Sequence, residues 1–440
     1  MNNKLYAGVA RAVITPEVGC NLYGYRDDII STAVLDDLNA TAFYFEQEGT
    51  KALMISCDVA TVRDSKKITA EIEKKFNIPE DNCIISATHT HSGPNTGSTD
   101  SGWGVTDDNY LENTFIPGIL GAVEEAIESA VPVTVGYAFG NSKVGINRRE
   151  MKISSKEYTS LGQNEWGCYN PKMTVISFRD ENGDNIGTMV HYGCHATAAG
   201  ANTEITRDWP GVMVDQLEKV TGGIAAFFNG PEGDVGPRLS NGGTSGRGDI
   251  SYIYEIGNVA AQDAIRIFKS ISSYRDENLA VASGLLMPPM GERISLEEAK
   301  KQYEKFKQYT VNIGSKAKNH YKDIIESYEN GYKEVDHIEW EQTVLRIGDV
   351  AFASFPLELF SEIGLRIDKE SSIPHVLSLA VTNGIECYFP TRDQLLRKGY
   401  ETEMYEFYHI QPFGDHADYK LIIDTLENLK KIEKDDEKCI

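Results

Sequence analysis

The chain has 440 residues, 41% of them hydrophobic and 25% charged, proportions that suit a globular protein with a sizeable core. Its 66 acidic residues against 43 basic ones leave a net charge of −23. That balance argues against a nucleic-acid partner and against stable insertion into an anionic membrane surface, since both call for a basic face. No apolar run reaches transmembrane length, and the opening residues lack the apolar core of a secretory signal. The seven cysteines are scattered, odd in number and without a CxxC pair, so a reducing, cytoplasmic location is expected.

In chain order, the apolar runs 41–45 and 52–57 flank the turn Gln47-Glu48-Gly49-Thr50 and predict a hairpin. Residues 64–76 carry Ile68, Ile72 and Phe76 at four-residue spacing, a helical pattern. Cys83-Ile84-Ile85-Ser86-Ala87 reads as a buried strand that runs on through Thr88-His89-Thr90-His91 and is stopped at Gly93-Pro94. Alternate side chains of a strand share a face, so His89 and His91 are expected to emerge side by side at its end. This pattern fits a metal site using one or both rings, or a pair of hydrogen-bonded turn histidines.

Residues 111–129 read as a helix, and a second hairpin joins 174–178 to 188–195 through Glu181-Asn182-Gly183-Asp184. Its last strand places His191 and His195 on one face. His195, at the tip, is favoured as a metal ligand, while His191 lies deeper and also fits a core histidine with satisfied hydrogen bonds. The stretch 230–248, rich in Gly, Pro and Ser, is a loop long enough to be functional. Residues 294–335 read as a helical insertion. Ser295 and Glu298 form a capping box, Leu296, Ala299, Tyr303 and Phe306 mark one helical face, and a second helix covers 316–328. Strands return at 341–347 and 349–355, the latter leading into a helix near Pro356. Glu358 in its first turn complements the helix dipole, at a strand-to-helix loop where α/β sheets place ligands. Glu386-Cys387-Tyr388-Phe389-Pro390 is an aromatic strand end. The alternation of strands and helices predicts an α/β fold, mixed β-sheets flanked by helices in a single unit over 1–440.

Taken in order, these pieces resemble the neutral/alkaline non-lysosomal ceramidase family. They are Val13-Ile14-Thr15-Pro16, Gly24-Tyr25, the unbroken Thr88-His89-Thr90-His91-Ser92-Gly93-Pro94, Asn147-Arg148 and His195. Gly233-Asp234-Val235, Pro356-Leu357-Glu358, Tyr388-Phe389-Pro390-Thr391 and Tyr400-Glu401 complete the series. The resemblance implies one zinc ion held by His89, His195, Glu358 and Tyr388, donors of the kinds zinc accepts. It also implies oxyanion stabilisation by Tyr388 and Arg148, acid/base or orienting work by His91, and Asp234 orienting one of the histidines.

Three departures bear on the substrate. Gly236 stands where the family's ceramidases carry the serine of Gly-Asp-Val-Ser-Pro, so the expected attacking group is metal-activated water. About forty residues follow Glu401, so neither the family's C-terminal β-sandwich nor a secretory signal is expected. The expected activity is therefore zinc-dependent hydrolysis of an amide (N-acyl) bond in a ceramide-like or smaller soluble N-acylated substrate. A metal-dependent esterase or lactonase, and a non-catalytic metal-binding homologue, are the alternatives. The sequence carries no signal for oligomeric state.

Overall fold

Alternating apolar strands and amphipathic helices resolve into three main sheets that share one core. A computed structural model describes residues 4–97, 105–151, 159–241, 250–309 and 312–433. The first sheet runs Cys83–Ala87, Thr50–Cys57, Asn39–Gln47, Tyr6–Val13, Val131–Pro132; its first two strands are parallel and the rest antiparallel. The second runs Ile224–Asn229, Asn185–Tyr192, Lys172–Arg179, Thr134–Asn141, again with only the first pair parallel. The third runs Leu279–Leu286, Trp340–Ile347, Val350–Ser354, His375–Leu379, its last pair parallel.

Phe43, Phe45 and Met54 of the first sheet, Ile176, Phe178 and Phe228 of the second, and Leu345, Phe352 and Leu377 of the third form one buried cluster. The sheets thus face one another, and helices cover their outer sides. Ile116–Glu128 packs on the first sheet, Asp208–Thr221 and Tyr252–Lys269 on the second, and Ser361–Glu370 and Ala417–Lys430 on the third. Ser56 Oγ donates to Phe227 O at 2.6 Å, a polar tie between the first two sheets. The predicted α/β class, with mixed sheets flanked by helices, is the observed one.

Both predicted hairpins form, and so do the helices at Ser65–Phe76 and, as a π-turn followed by Ile116–Glu128, over 111–128. The insertion contains the helices Leu296–Phe306 and Asn312–Glu329, with Phe306 and Tyr321 stacked at 5.9 Å. Ser295 caps the first helix by accepting from Glu298 N, but the Glu298 carboxylate turns along the helix to Gln302 and Lys301. Of the stretch 230–248, residues 242–248 lie outside the described residues.

Three local expectations change. The strand before the histidine pair ends at Ala87, and His89 takes a left-handed φ of 64° because its amide and ring both turn to carbonyls after the neighbouring strand, at Val59 and Ala60. The strand leading to His195 stops at Tyr192. Glu358 lies on the two-residue strand Glu358–Leu359, paired in parallel with Tyr388–Phe389, and the helix begins only at Ser361. Among the described residues no helix is long and apolar enough to cross a membrane.

His191 is a core residue. Its ring is buried, Nε2 donates to Ser378 O at 2.8 Å across two sheets, and burial lowers its pKa to about 4. The unfolded chain, with an ordinary histidine pKa, binds this proton more readily. The stabilisation is therefore complete above about pH 6.5 and lost as pH falls toward 4, a swing of about 3 kcal/mol. Urea denaturation of the metal-free protein should show His191→Gln flattening the stability–pH curve between those limits; an unchanged slope would contradict the assignment.

Candidate metal centre

Every parallel pair in the three sheets points its carboxyl end at the same place. The chain leaves Thr50–Cys57 for Ala60, Cys83–Ala87 for His89, Asn185–Tyr192 for His195, and Ile224–Asn229 for Glu232. It leaves Val350–Ser354 for Glu358, and His375–Leu379 leads on to Tyr388. Parallel strands end in unpaired backbone at a common rim, which is where open α/β sheets build their sites.

The two central imidazoles are fixed by backbone carbonyls. His89 Nδ1 lies 2.6 Å from Ala60 O, and His195 Nδ1 lies 2.9 Å from Glu232 O and 3.1 Å from Val235 O. A carbonyl only accepts, so each Nδ1 carries the proton and each Nε2 is left bare. Trp209 Nε1 donates to His195 O and holds that segment from below. Burial, and next Arg148, lowers the His195 pKa to about 3, keeping the ring neutral.

Both bare nitrogens face one carboxylate. Glu358 Oε2 is 3.1 Å from His195 Nε2 and 3.6 Å from His89 Nε2. Two bare nitrogens and a buried carboxylate oxygen this close repel one another unless a positive charge lies among them. Donors bound to one ion at 2.0–2.2 Å and tetrahedral angles stand about 3.3 Å apart. The observed separations therefore fit a divalent cation with little rearrangement, and the neutral imidazole and carboxylate donor set suits zinc and its neighbours.

His91 completes a three-ring cluster. Its Nε2 lies 3.2 Å from His89 Nε2, and the donor atoms of His89, His91 and His195 all lie within 4.8 Å of one another. Burial and the other two histidines lower its pKa well below normal. Tyr25 packs edge-on against the His91 ring at 5.2 Å, and Gly24, with φ +109°, lies flat beneath it.

Tyr388 sits beside Glu358 by strand register and accepts a hydrogen bond from Arg148 Nη2 at 3.1 Å. Burial, and then Glu358, raises the phenol pKa well above normal. Arg148 is partly buried and stays charged: desolvation opposes its charge, but Tyr388, Glu401 and Glu358 outweigh it. Glu401 accepts from Arg148 Nε at 2.9 Å and from Arg149 Nη1 at 2.6 Å, a bridging role that its place in a Tyr-Glu motif did not disclose.

The structure thus brings together His89, His91, His195, Glu358, Tyr388 and Arg148. Asp234 is corrected: its carboxylate accepts from Ser361 N and Oγ and from Asn147 Nδ2, not from a histidine. It braces the strand carrying Arg148 against the turn after Glu358, and burial raises its pKa to about 6. Sequence reasoning missed Glu232, fully buried beside the cluster. Its only signal was an acidic residue in a Gly- and Pro-rich turn following an apolar strand.

A family model described as "Neutral/alkaline non-lysosomal ceramidase, N-terminal" matches residues 6–251. The chain is 28% identical over 249 residues to the neutral ceramidase of Pseudomonas aeruginosa, an alignment covering 53% of this chain and 37% of that protein. It is 29% identical over 248 residues to neutral ceramidase A of Dictyostelium discoideum, covering 50% and 34%. The aligned part thus spans about a third of the length of these relatives. The crystal structure of the Pseudomonas aeruginosa neutral ceramidase superposes with a TM-score of 0.76 at 20% identity, over 98% of this chain and 75% of that one. At that identity the likeness is one of fold.

Gly24 offers a direct test of how the cluster is held. A Cβ there would stand 2.3 Å from His91 Nδ1, on a backbone conformation that L-residues rarely adopt. Gly24→Ala should destabilise the metal-free protein by about 2 kcal/mol or more in urea denaturation and displace the His91 ring. A loss under about 0.5 kcal/mol would mean that the ring has room to move.

Proposed function

The chain belongs to the neutral/alkaline non-lysosomal ceramidase family, and from that premise we propose that it is a zinc-dependent hydrolase of amide (N-acyl) bonds. The observation that carries this is the convergence of two bare, tautomer-locked imidazole nitrogens on one buried carboxyl group, with a phenol and a guanidinium alongside. His89, His195, Glu358 and Tyr388 would hold the ion. When bound, it supplies Lewis acidity that polarises a carbonyl and lowers the pKa of water.

The chain's own groups supply the rest. Arg148, its Nη2 set by Tyr388 Oη, would supply fixed N–H donors for negative charge developing on the scissile oxygen, with Tyr388 beside it, and Glu401 keeps the guanidinium from swinging away. With His89 Nε2 committed to the ion, His91, neutral and 3.2 Å away with its Nδ1 unpartnered, has a free ring nitrogen for acid/base work. It would take a proton from the attacking water and pass that proton to the departing amine, returning to the neutral ring. Gly236 has no hydroxyl, and a Cβ there would meet Arg148 only at ordinary contact, 3.6 Å, so the site has space beside Arg148 and no serine nucleophile at this position.

The helical insertion supports a pocket-wall role. His320 packs on Phe407 at 5.3 Å, and Lys316, whose pKa burial lowers to about 8, lies close enough for Glu358 to push it back up. A net charge of −23 disfavours docking on an anionic bilayer, so the preferred substrates are soluble N-acylated amines rather than membrane ceramide.

Purified protein should contain about one zinc ion per chain, and His89→Ala and His195→Ala should each strip most of it. Activity should vanish with a chelator, return with zinc and survive serine-directed phosphonates. Full occupancy in both variants by elemental analysis would sink the metal assignment.

Kinetics on a soluble short-chain N-acyl amide and on vesicle-borne ceramide test the substrate class, with faster turnover expected for the soluble amide. Arg148→Lys should lower kcat by about 100-fold with little change in KM, because its charge matters most in the transition state. Faster turnover of the bilayer lipid would overturn the substrate preference.

A further inference from the structure

Glu232 is the buried acid beside the cluster that the chemistry above leaves without work. It follows the strand Ile224–Asn229 in the turn Gly230-Pro231-Glu232-Gly233-Asp234 and is 0% exposed. Its main-chain carbonyl accepts from His195 Nδ1, which pins the residue to the ligand turn. Neither oxygen of its carboxyl group has a hydrogen-bond partner. Yet the donor atoms of His89, Glu232 and Glu358 all lie within 4.8 Å of one another.

Two carboxyl groups in one desolvated space repel each other if both ionise. Protonating Glu232 removes the repulsion, but the acid would still have no acceptor for its hydrogen and no donor for its carbonyl. The nearest fixed cation is engaged elsewhere: Arg148 is held by Tyr388 and Glu401. A divalent cation between the carboxylates satisfies the orphaned oxygens and cancels the repulsion in one step.

We propose that Glu232 is a ligand of the same ion, giving the centre a second carboxylate beyond the four donors named above. The inference rests on the metal-dependent reading and adds that the site is richer in oxygen than a four-coordinate zinc centre. Such a donor set accommodates five- or six-coordinate ions and raises affinity for oxygen-preferring metals.

Cobalt(II) and manganese(II) titrations of the apo full-length chain against a competing chelator test this without reference to turnover. Glu232→Gln, nearly isosteric, should weaken manganese binding by about 100-fold or more, beyond the usual effect of a residue that only orients a ligand. Glu232→Asp should recover part of the affinity. The cobalt absorption of Glu232→Gln should intensify as the coordination number falls. The melting temperature of its metal-free form should stay level or rise, since a buried unpaired acid has been removed; a fall would assign Glu232 a structural role and overturn the inference. Wild-type affinity and an unchanged cobalt spectrum in Glu232→Gln would also overturn it, leaving the metal centre itself intact. A wild-type chain that takes up neither ion would instead refute the metal-dependent reading, and this inference with it.

Discussion

The structure is organised around the cost of burying ionisable groups. Three imidazoles, two carboxyl groups, a phenol and a guanidinium occupy one nearly dry space, and each would be strongly unfavourable there without a partner. Backbone carbonyls solve the histidine part of the problem. By accepting from Nδ1 of His89 and His195, Ala60, Glu232 and Val235 fix the tautomer and the ring plane together. A side-chain acceptor would add another charge to an already crowded site. A main-chain acceptor adds none and moves only if the fold moves.

That solution requires carbonyls at chosen points in space, and the three-sheet architecture provides them. Parallel strand pairs from all three sheets end at one rim, so the turns beyond them carry both the side chains and the carbonyls that hold them. Small ties close the rim. Thr90 bridges to Ala196, so the two histidine turns run beside each other. The parallel pairing of Glu358 with Tyr388 places carboxylate and phenol in register. Asp234 links the strand of Arg148 to the turn after Glu358. The left-handed conformation of His89 is a strain that these surrounding contacts maintain.

The positive side of the site is balanced as carefully. Arg148 and Arg149 share Glu401, one guanidinium facing the phenol and the other turned to Gln394 and Lys398. A guanidinium paired on its Nε edge keeps its remaining donors aimed in a fixed direction. The helical insertion is joined to the body through ring contacts of Tyr321 and His320 with Phe407, while Phe306 stacks on Tyr321 within it.

The sequence alone determined the α/β class, both hairpins, the insertion and the segments 88–91, 195, 358 and 388 as places where donor side chains stand at element ends. Those features are local: apolar periodicity, turn residues and the identity of a side chain are written within a few residues. The tertiary structure decided how the donors meet. The sequence placed His89 and His91 side by side by strand alternation, whereas a left-handed turn anchored to Val59 and Ala60 brings their rings together. It gave Glu358 to a helix start, whereas pairing with Tyr388 across thirty positions holds it extended. Asp234 looked like a partner for a histidine and is a brace for two turns, and Glu232 passed unnoticed because an acid in a glycine-rich turn normally faces water. In each case the deciding contact joins segments far apart in the chain, and the free energy of a long-range contact leaves no pattern in the residues on either side of it.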